Sequence, residues 1–232
     1  MKRMVQDDFI LRLPSTVVGQ GMLHEGNKYL IDFALRNLPK DGAVLEIGSF
    51  GGMSMNLILH LMEKYAKTNP VFSCDPWLYS GYHDREMPFP DFIDGKPTVD
   101  RKDYMNYIRK SFIRSVQLLH PNRLPHTLQT TSDQFFIDWA GHKTTTDVFG
   151  NAARLGGSFS FVYIDGDHSL SAARKDFENS MKFLVPGGFV LLDDSAAGLP
   201  YGSVSLIKEI SSRKELKLVQ ANPNYLFQKR EN

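Results

Sequence analysis

Apolar residues recur at three- and four-residue intervals from Leu23 to Leu38, where Leu30, Ile31, Phe33, Ala34 and Leu38 mark one face of an amphipathic helix that ends at Pro39 and Gly42. The period then changes. Ala43-Val44-Leu45-Glu46-Ile47 is a short run of the kind buried on both faces of a parallel sheet, and Met53 to Tyr65 returns to helical spacing through Met55, Ile58, Leu59 and Met62. Val71-Phe72-Ser73-Cys74-Asp75 predicts the next strand and completes a βαβ unit.

Periodicity is lost over residues 76–103, where Pro76, Pro88, Pro90 and Pro97 alternate with Trp77, Tyr79, Tyr82, Phe89 and Phe92. So long a loop within one domain is uncommon unless functional or disordered, and its aromatics favour a substrate lid, with packing on the domain as the alternative. Helical spacing resumes from Asp103 to Leu119. His126 to Thr130 predicts a strand, and Ser132 is expected to cap the helix after it. Phe159 to Ile164 reads as a strand and Ser171 to Leu184 as a helix. The turn Pro186-Gly187-Gly188 then leads into a strand over Gly188 to Leu192. A helix near Ser203 to Ser211 and two strands around Asn222-Pro223-Asn224 close the chain. This alternation predicts an α/β fold: a doubly wound, mostly parallel sheet with an antiparallel C-terminal hairpin.

With 232 residues, 42% of them hydrophobic, one domain over residues 1–232 is expected, with 76–103 as an insertion. A net charge of +1 from 27 basic and 26 acidic residues supplies no global field, so the expected partner is a small molecule rather than a nucleic acid or a membrane. The basic residues Lys102, Arg109, Lys110, Arg114 and Arg123 are interrupted by Asp100 and Asp103, as on a solvated helix face. Cys74 is the single cysteine and has no internal disulfide partner, which points to a reducing compartment. Asp7, Asp8, Arg12 and Pro14 break what would be an apolar leader segment, and no stretch approaches the roughly 20 apolar residues of a bilayer span. A cytoplasmic protein is expected. The oligomeric state is not set by the sequence, and a homo-oligomer is compatible with it.

In an open α/β sheet, ligands bind beyond the carboxyl ends of the strands, so each acidic residue that ends an apolar run is a candidate. Glu46-x-Gly48-x-x-Gly51-Gly52 follows a strand and opens a helix, which suits close backbone approach to a ligand. Phe50 stands where a dinucleotide fingerprint needs its second glycine, which argues against NAD. Asp75 ends the second strand, where a carboxylate can accept both hydroxyls of a ribose.

Val44-Leu45-Glu46-Ile47-Gly48-Ser49-Phe50-Gly51-Gly52, Asp75 and Phe161-Val162-Tyr163-Ile164-Asp165-Gly166-Asp167-His168 together resemble class I S-adenosylmethionine-dependent methyltransferases. The resemblance covers about residues 25 to 75 and 125 to 230. It implies a seven-stranded Rossmann-like fold with Glu46 and Gly48 at the methionine end of the cofactor, and Ser49 and Gly51 in the same binding turn. It also implies Asp75 on the ribose, Thr131, Ser132 and Asp133 at the adenine, and Asp165 beside the cofactor. With Pro186-Gly187-Gly188 and Leu192-Asp193-Asp194, the pattern is similar to the metal-dependent O-methyltransferases of the macrocin, mycinamicin and novobiocin type.

Asp165 and Asp193 should end neighbouring strands about 4.8 Å apart, with Asp194 adjoining. Three converging carboxylates repel, and a divalent cation such as Mg2+ would relieve that repulsion while accepting a substrate hydroxyl. His168 stands where the sugar-modifying enzymes place their proposed base, and its ordinary pKa near 6.5 suits proton transfer at neutral pH. Capping the next helix is its alternative role, and Asp167 is the alternative base. The reaction expected is O-methyl transfer to a small-molecule hydroxyl. A cephalosporin-hydroxylase-like enzyme, a metal-independent N-methyltransferase and a non-catalytic cofactor-binding module are the competing readings.

Overall fold

The computed structural model describes residues 1–3, 21–78, 92–93 and 96–231. The sequence reading of residues 4–20 lies outside them. His24 opens α1 (Glu25–Arg36) by accepting the Gly26 N–H at its ring Nδ1, a cap that the apolar pattern does not announce. β1 (Ala43–Ile47), buried along its whole length, leads to α2 (Met53–Lys64) and β2 (Val71–Cys74). Of the expected lid, residues 79–91 and 94–95 lie outside the described residues. Its far end forms β3 (Phe92–Ile93) and β4 (Lys96–Asp100), paired antiparallel. Asp100 caps α3 (Arg101–Leu119), its carboxylate accepting the N–H groups of Lys102 and Asp103, so this helix begins before the expected Asp103.

β5 (His126–Leu128) and α4 (Ser132–Ala140) follow. Thr131, and not the expected Ser132, is the cap, because its hydroxyl is the one placed to accept the Gln134 N–H at 3.3 Å. β6 (Thr144–Thr146) and β7 (Ala152–Arg154) make a small antiparallel pair that no period in the sequence signals. β8 (Phe159–Ile164), α5 (Leu170–Phe183), β9 (Leu184–Leu192), α6 (Gly202–Ile210), β10 (Leu216–Ala221) and β11 (Tyr225–Lys229) complete the chain. The expected turn Pro186-Gly187-Gly188 lies inside β9. It is absorbed as an irregularity in the pairing with β8, where Phe159 faces Leu184 but Phe161 already faces Phe189.

The seven-stranded sheet has the order β10-β11-β9-β8-β1-β2-β5. From β9 to β5 all pairs are parallel, whereas β11 runs antiparallel to β9, and β10 to β11. Chain order reverses at β1, between β8 and β2, which places the ligand crevice at its carboxyl end. Strand side chains alternate between two cores. Val44, Phe161, Tyr163, Phe189 and Leu191 pack with α1, α2 and α3, while Leu45, Phe72, Val162, Ile164 and Val190 pack with α4, α5 and α6. Each fully buried Leu, Val or Phe contributes about 1.5–3 kcal/mol, so the strand ends rest on a rigid support. No helix among the described residues is long and apolar enough to cross a membrane.

Candidate active site

Backbone bonds step across the carboxyl ends of the central strands. Gly48 N–H donates to Cys74 O at 2.9 Å, Asp165 N–H to Ile47 O at 2.8 Å and Asp193 N–H to Ile164 O at 2.9 Å. Gly48 has φ +85°, and a Cβ there would lie 2.0 Å from the carbonyl oxygen of Asp165, so only glycine fits between the two strand ends.

Asp75 holds this turn from the neighbouring strand. Its Oδ2 accepts the N–H groups of Ser49 at 2.9 Å and Phe50 at 2.8 Å, and its Oδ1 accepts the Trp77 N–H at 2.6 Å. Burial raises the pKa of the Asp75 carboxyl, and the three N–H groups oppose that rise. Trp77 stands among the expected lid aromatics, but the structure buries it and directs its indole N–H to Phe50 O at 2.9 Å. Glu46 and Gly51 are buried behind the cavity wall. Neither carboxylate oxygen of Glu46 has a hydrogen-bond partner among the described residues. Burial pushes its pKa up to about 7, with the nearby Ser54 and Ser49 hydroxyls pulling down and Asp75 adding to the rise.

Asp165 and Asp193 follow the paired ends Ile164 and Leu192 of β8 and β9, as the sequence implies. Asp193 is held from three sides. Its Oδ1 accepts amide N–H groups from Asn27 at 2.5 Å and Asn224 at 2.6 Å, and its Oδ2 accepts the Tyr163 hydroxyl at 3.1 Å. Burial, followed by the charge of Asp193 and a hydrogen bond shared with it, drives the Asp165 carboxyl well above the usual carboxylate range. Asp194 has the left-handed φ of +47°, which few non-glycine residues adopt. His168 Nε2 lies 3.6 Å from Asp194 Oδ2 and 3.8 Å from Asp165 Oδ1, and its ring packs against Tyr201 at 5.3 Å. His168 does not cap α5, since the Ser169 hydroxyl does so. Asp167 is exposed, and its Oδ1 accepts the Ser169 N–H at 2.8 Å.

Among the described residues, no group of three or more His, Cys, Asp or Glu side chains is drawn together tightly enough to hold a metal ion. Asp165 meets Asp193, Asp194 lies across His168 from Asp165, and Asp193 is directed to its amide partners.

A cavity of about 820 Å³ runs along these strand ends. On the β2 and β5 side its wall includes Gly48, Ser49, Asp75, Thr131, Ser132 and Asp133; on the β8 and β9 side it includes Asp165, Asp167, His168, Asp193 and Asp194. Asp133 pairs with Lys175 at 2.6 Å. Asp176, which sequence reasoning passed over as one polar residue of a helix, also lines the cavity. Burial pushes its carboxyl up to about 7; the Ser132 hydroxyl opposes this, and Asp133 and Asp167 reinforce it.

Residues 45–195 match the family described as Methyltransferase domain, a span that contains the glycine turn and the whole acidic edge. The chain belongs to that family and is an S-adenosylmethionine-dependent methyltransferase with the Rossmann-like methyltransferase fold. Among solved structures it is similar to the O-methyltransferase NovP, at 15% identity over 91% of this chain and 82% of that one, with a TM-score of 0.55. It is also similar to the O-methyltransferase TomG from Streptomyces achromogenes, involved in tomaymycin synthesis and solved with S-adenosylmethionine, at 12% identity over 95% of each chain and a TM-score of 0.52. An rRNA methylase from Streptococcus thermophilus shares 11% identity over 91% of this chain and 100% of that one, with a TM-score of 0.51. At these identities the likeness shows the fold. No curated protein matches the chain.

Proposed function

We propose that this chain methylates a hydroxyl of a small molecule, such as a sugar or a natural product, with His168 as the base. The supporting observation is the placement of His168 Nε2 on the cavity wall within 3.6 Å of Asp194 and 3.8 Å of Asp165. From there the ring nitrogen can take the proton of an acceptor hydroxyl bound in the cavity. Asp167 suits the task less well, because it is exposed and holds the Ser169 N–H. NovP and TomG are O-methyltransferases, which agrees with a hydroxyl acceptor.

S-adenosylmethionine supplies an electrophilic methyl group on a positively charged sulfonium. The residues present fit it. Gly48 brings bare backbone to the cavity wall, and neither carboxylate oxygen of Glu46, buried behind the turn, has a hydrogen-bond partner among the described residues, so the cationic methionine end would offset the cost of its charge. Ser49 and Gly51 complete the turn, Asp75 would meet the ribose, and Thr131, Ser132 and Asp133 would enclose the adenine.

Asp165, Asp193 and Asp194 are oxygen donors of the type a hard divalent cation such as Mg2+ takes, although among the described residues they are not drawn together around one. Burial first, and the charge of Asp193 after it, raise the Asp165 carboxyl, and a positive charge nearby would oppose both. A cation held there would stabilise the charge that develops on the acceptor oxygen. A second reading rests on the position of His168 between Asp165 and Asp194. In it the ring serves alone as the base, and transfer to oxygen or nitrogen needs no metal. The lone, buried Cys74 supports a cytoplasmic location.

The test is methyl transfer from labelled S-adenosylmethionine to a panel of small hydroxyl compounds, with products assigned by mass spectrometry. An O-methyl product that is lost in EDTA and restored by Mg2+ is expected. Full turnover in EDTA overturns the cation and leaves the His168 reading. Methyl transfer to nitrogen, or to RNA alone, overturns the acceptor assignment.

A further inference from the structure

Helix α5 carries a carboxyl on its inward face. Ala173, Asp176, Phe177 and Ser180 are its buried residues, at the spacing of the stripe by which a helix meets a core. Ala173 and Phe177 pack there against apolar side chains of the sheet, whereas Asp176, 3% exposed, brings two oxygens to the same face. A carboxyl in such a place costs stability unless its oxygens find donors.

Two segments of the cavity wall enclose it. The Ser132 hydroxyl, at the start of α4, donates to the carboxyl, and a Cβ on Gly166, in the turn after β8, would lie 3.6 Å from Asp176 Oδ2. Lys175, the preceding residue, pairs with Asp133 at 2.6 Å and so ties α5 to the loop after β5. Ser132, Asp133, Gly166 and Asp176 all line the cavity. One hydroxyl does not fill the acceptor positions of a carboxyl, and a ligand in the cavity can supply the rest.

S-adenosylmethionine brings three kinds of N–H or O–H donor: the ammonium of its methionine end, the ribose hydroxyls and the 6-amino group of its adenine. With the ammonium end beside Glu46 and the ribose at Asp75, the amino group is the donor left for the end of the cavity where Ser132 and Asp176 stand. Burial pushes the Asp176 carboxyl up to about 7, and the match holds on either side of that value, since carboxylate and carboxylic acid both offer an acceptor oxygen.

We propose that Asp176 is a specificity-determining residue that accepts the 6-amino N–H of the cofactor's adenine. The role rests on the cofactor placement proposed above. It assigns recognition of the base to a helix as well as to the loop after β5.

The test compares calorimetric binding of S-adenosylhomocysteine with that of its purine analogue, which carries hydrogen in place of the 6-amino group. Wild-type protein is expected to prefer S-adenosylhomocysteine about 10–100-fold. Asp176→Leu keeps the branched shape without an oxygen, and Asp176→Ala removes the group altogether. In both, the preference should shrink to within about threefold, because the acceptor that read the amino group is gone. Asp176→Asn retains a carbonyl oxygen and should keep a preference of about tenfold. Wild-type protein that binds the two ligands alike overturns the role and leaves cofactor binding intact. A preference undiminished in Asp176→Leu and Asp176→Ala also overturns it; the adenine placement then stands, with another group reading the amino. Loss of both ligands alike in all three variants overturns it as well, since the carboxyl then serves the fold. Wild-type protein that takes up no S-adenosylhomocysteine overturns the cofactor placement and this role together.

Discussion

Asp75 Oδ2 accepts the Ser49 N–H at 2.9 Å, so the end of β2 fastens the turn that follows β1. One carboxylate thus shapes the cofactor turn while standing at the place expected to meet the ribose. Asp75→Ala leaves three backbone N–H groups without their acceptor. It is expected to cost about 3 kcal/mol in urea unfolding and to weaken S-adenosylhomocysteine binding in calorimetry. Asp75→Asn keeps one acceptor oxygen for the turn, so its unfolding cost should be smaller. A ribose role then shows as an affinity loss of about tenfold or more that outruns the stability loss.

Gly48→Ala combines a left-handed backbone with a methyl group set against the Asp165 carbonyl. The expected loss is at least about 2 kcal/mol of stability, together with weakened cofactor binding, because relief of the clash must part the turn from Asp165. Wild-type stability and affinity in this variant would show that the two strand ends can separate at little cost.

His168→Gln removes the proposed base but retains a side chain of similar reach. Turnover is expected to fall by about 10²–10⁴-fold with S-adenosylhomocysteine affinity unchanged. Asp167→Asn keeps an oxygen for the Ser169 N–H and should leave turnover near the wild-type value. Reversal of these two effects would assign proton transfer to Asp167.

Asp176 gives the fold a pH dependence whose sign is fixed by burial. Its carboxyl is raised from 3.8 to about 7, so the folded chain keeps a proton that the unfolded chain releases. The stability it contributes is fully present below about pH 4 and is lost as pH rises through about 7. Asp176→Asn should therefore be more stable than wild type at pH 8 and lose that advantage near pH 4. The gain is up to about 1.4 kcal/mol for each pH unit of the shift. Urea unfolding of both proteins at the two pH values measures the difference, and an equal difference at both would exclude this carboxyl as the source.

The parts of the site that could be read from the sequence share one property: the signal is local. Each of Glu46, Asp75, Asp165 and Asp193 lies at or just beyond the end of an apolar run, so a strand and its terminal acid appear together. The glycine turn is equally local, and its φ requirement is met where the pattern places it. What stayed hidden depends on distant partners. Asn224 reaches Asn27 across 197 positions, and around Pro223 it looks like an ordinary turn residue. Asp176 resembled any polar residue of an amphipathic helix until α5 packed against the cavity. The caps at His24 and Thr131 were missed because several side chains near each helix start could serve, and only the folded backbone selects one. The β6 and β7 pair is three residues per strand, too short for a period of two to stand out.

The backbone bonds that join Cys74 to Gly48, Ile47 to Asp165 and Ile164 to Asp193 give the cavity a ledge built from main chain. Side-chain replacement elsewhere can neither raise nor tilt such a ledge without breaking the sheet. Loops outside these backbone bonds carry no such duty and can be exchanged. An engineer seeking a new acceptor should therefore graft loops onto this chain and leave the strand ends untouched.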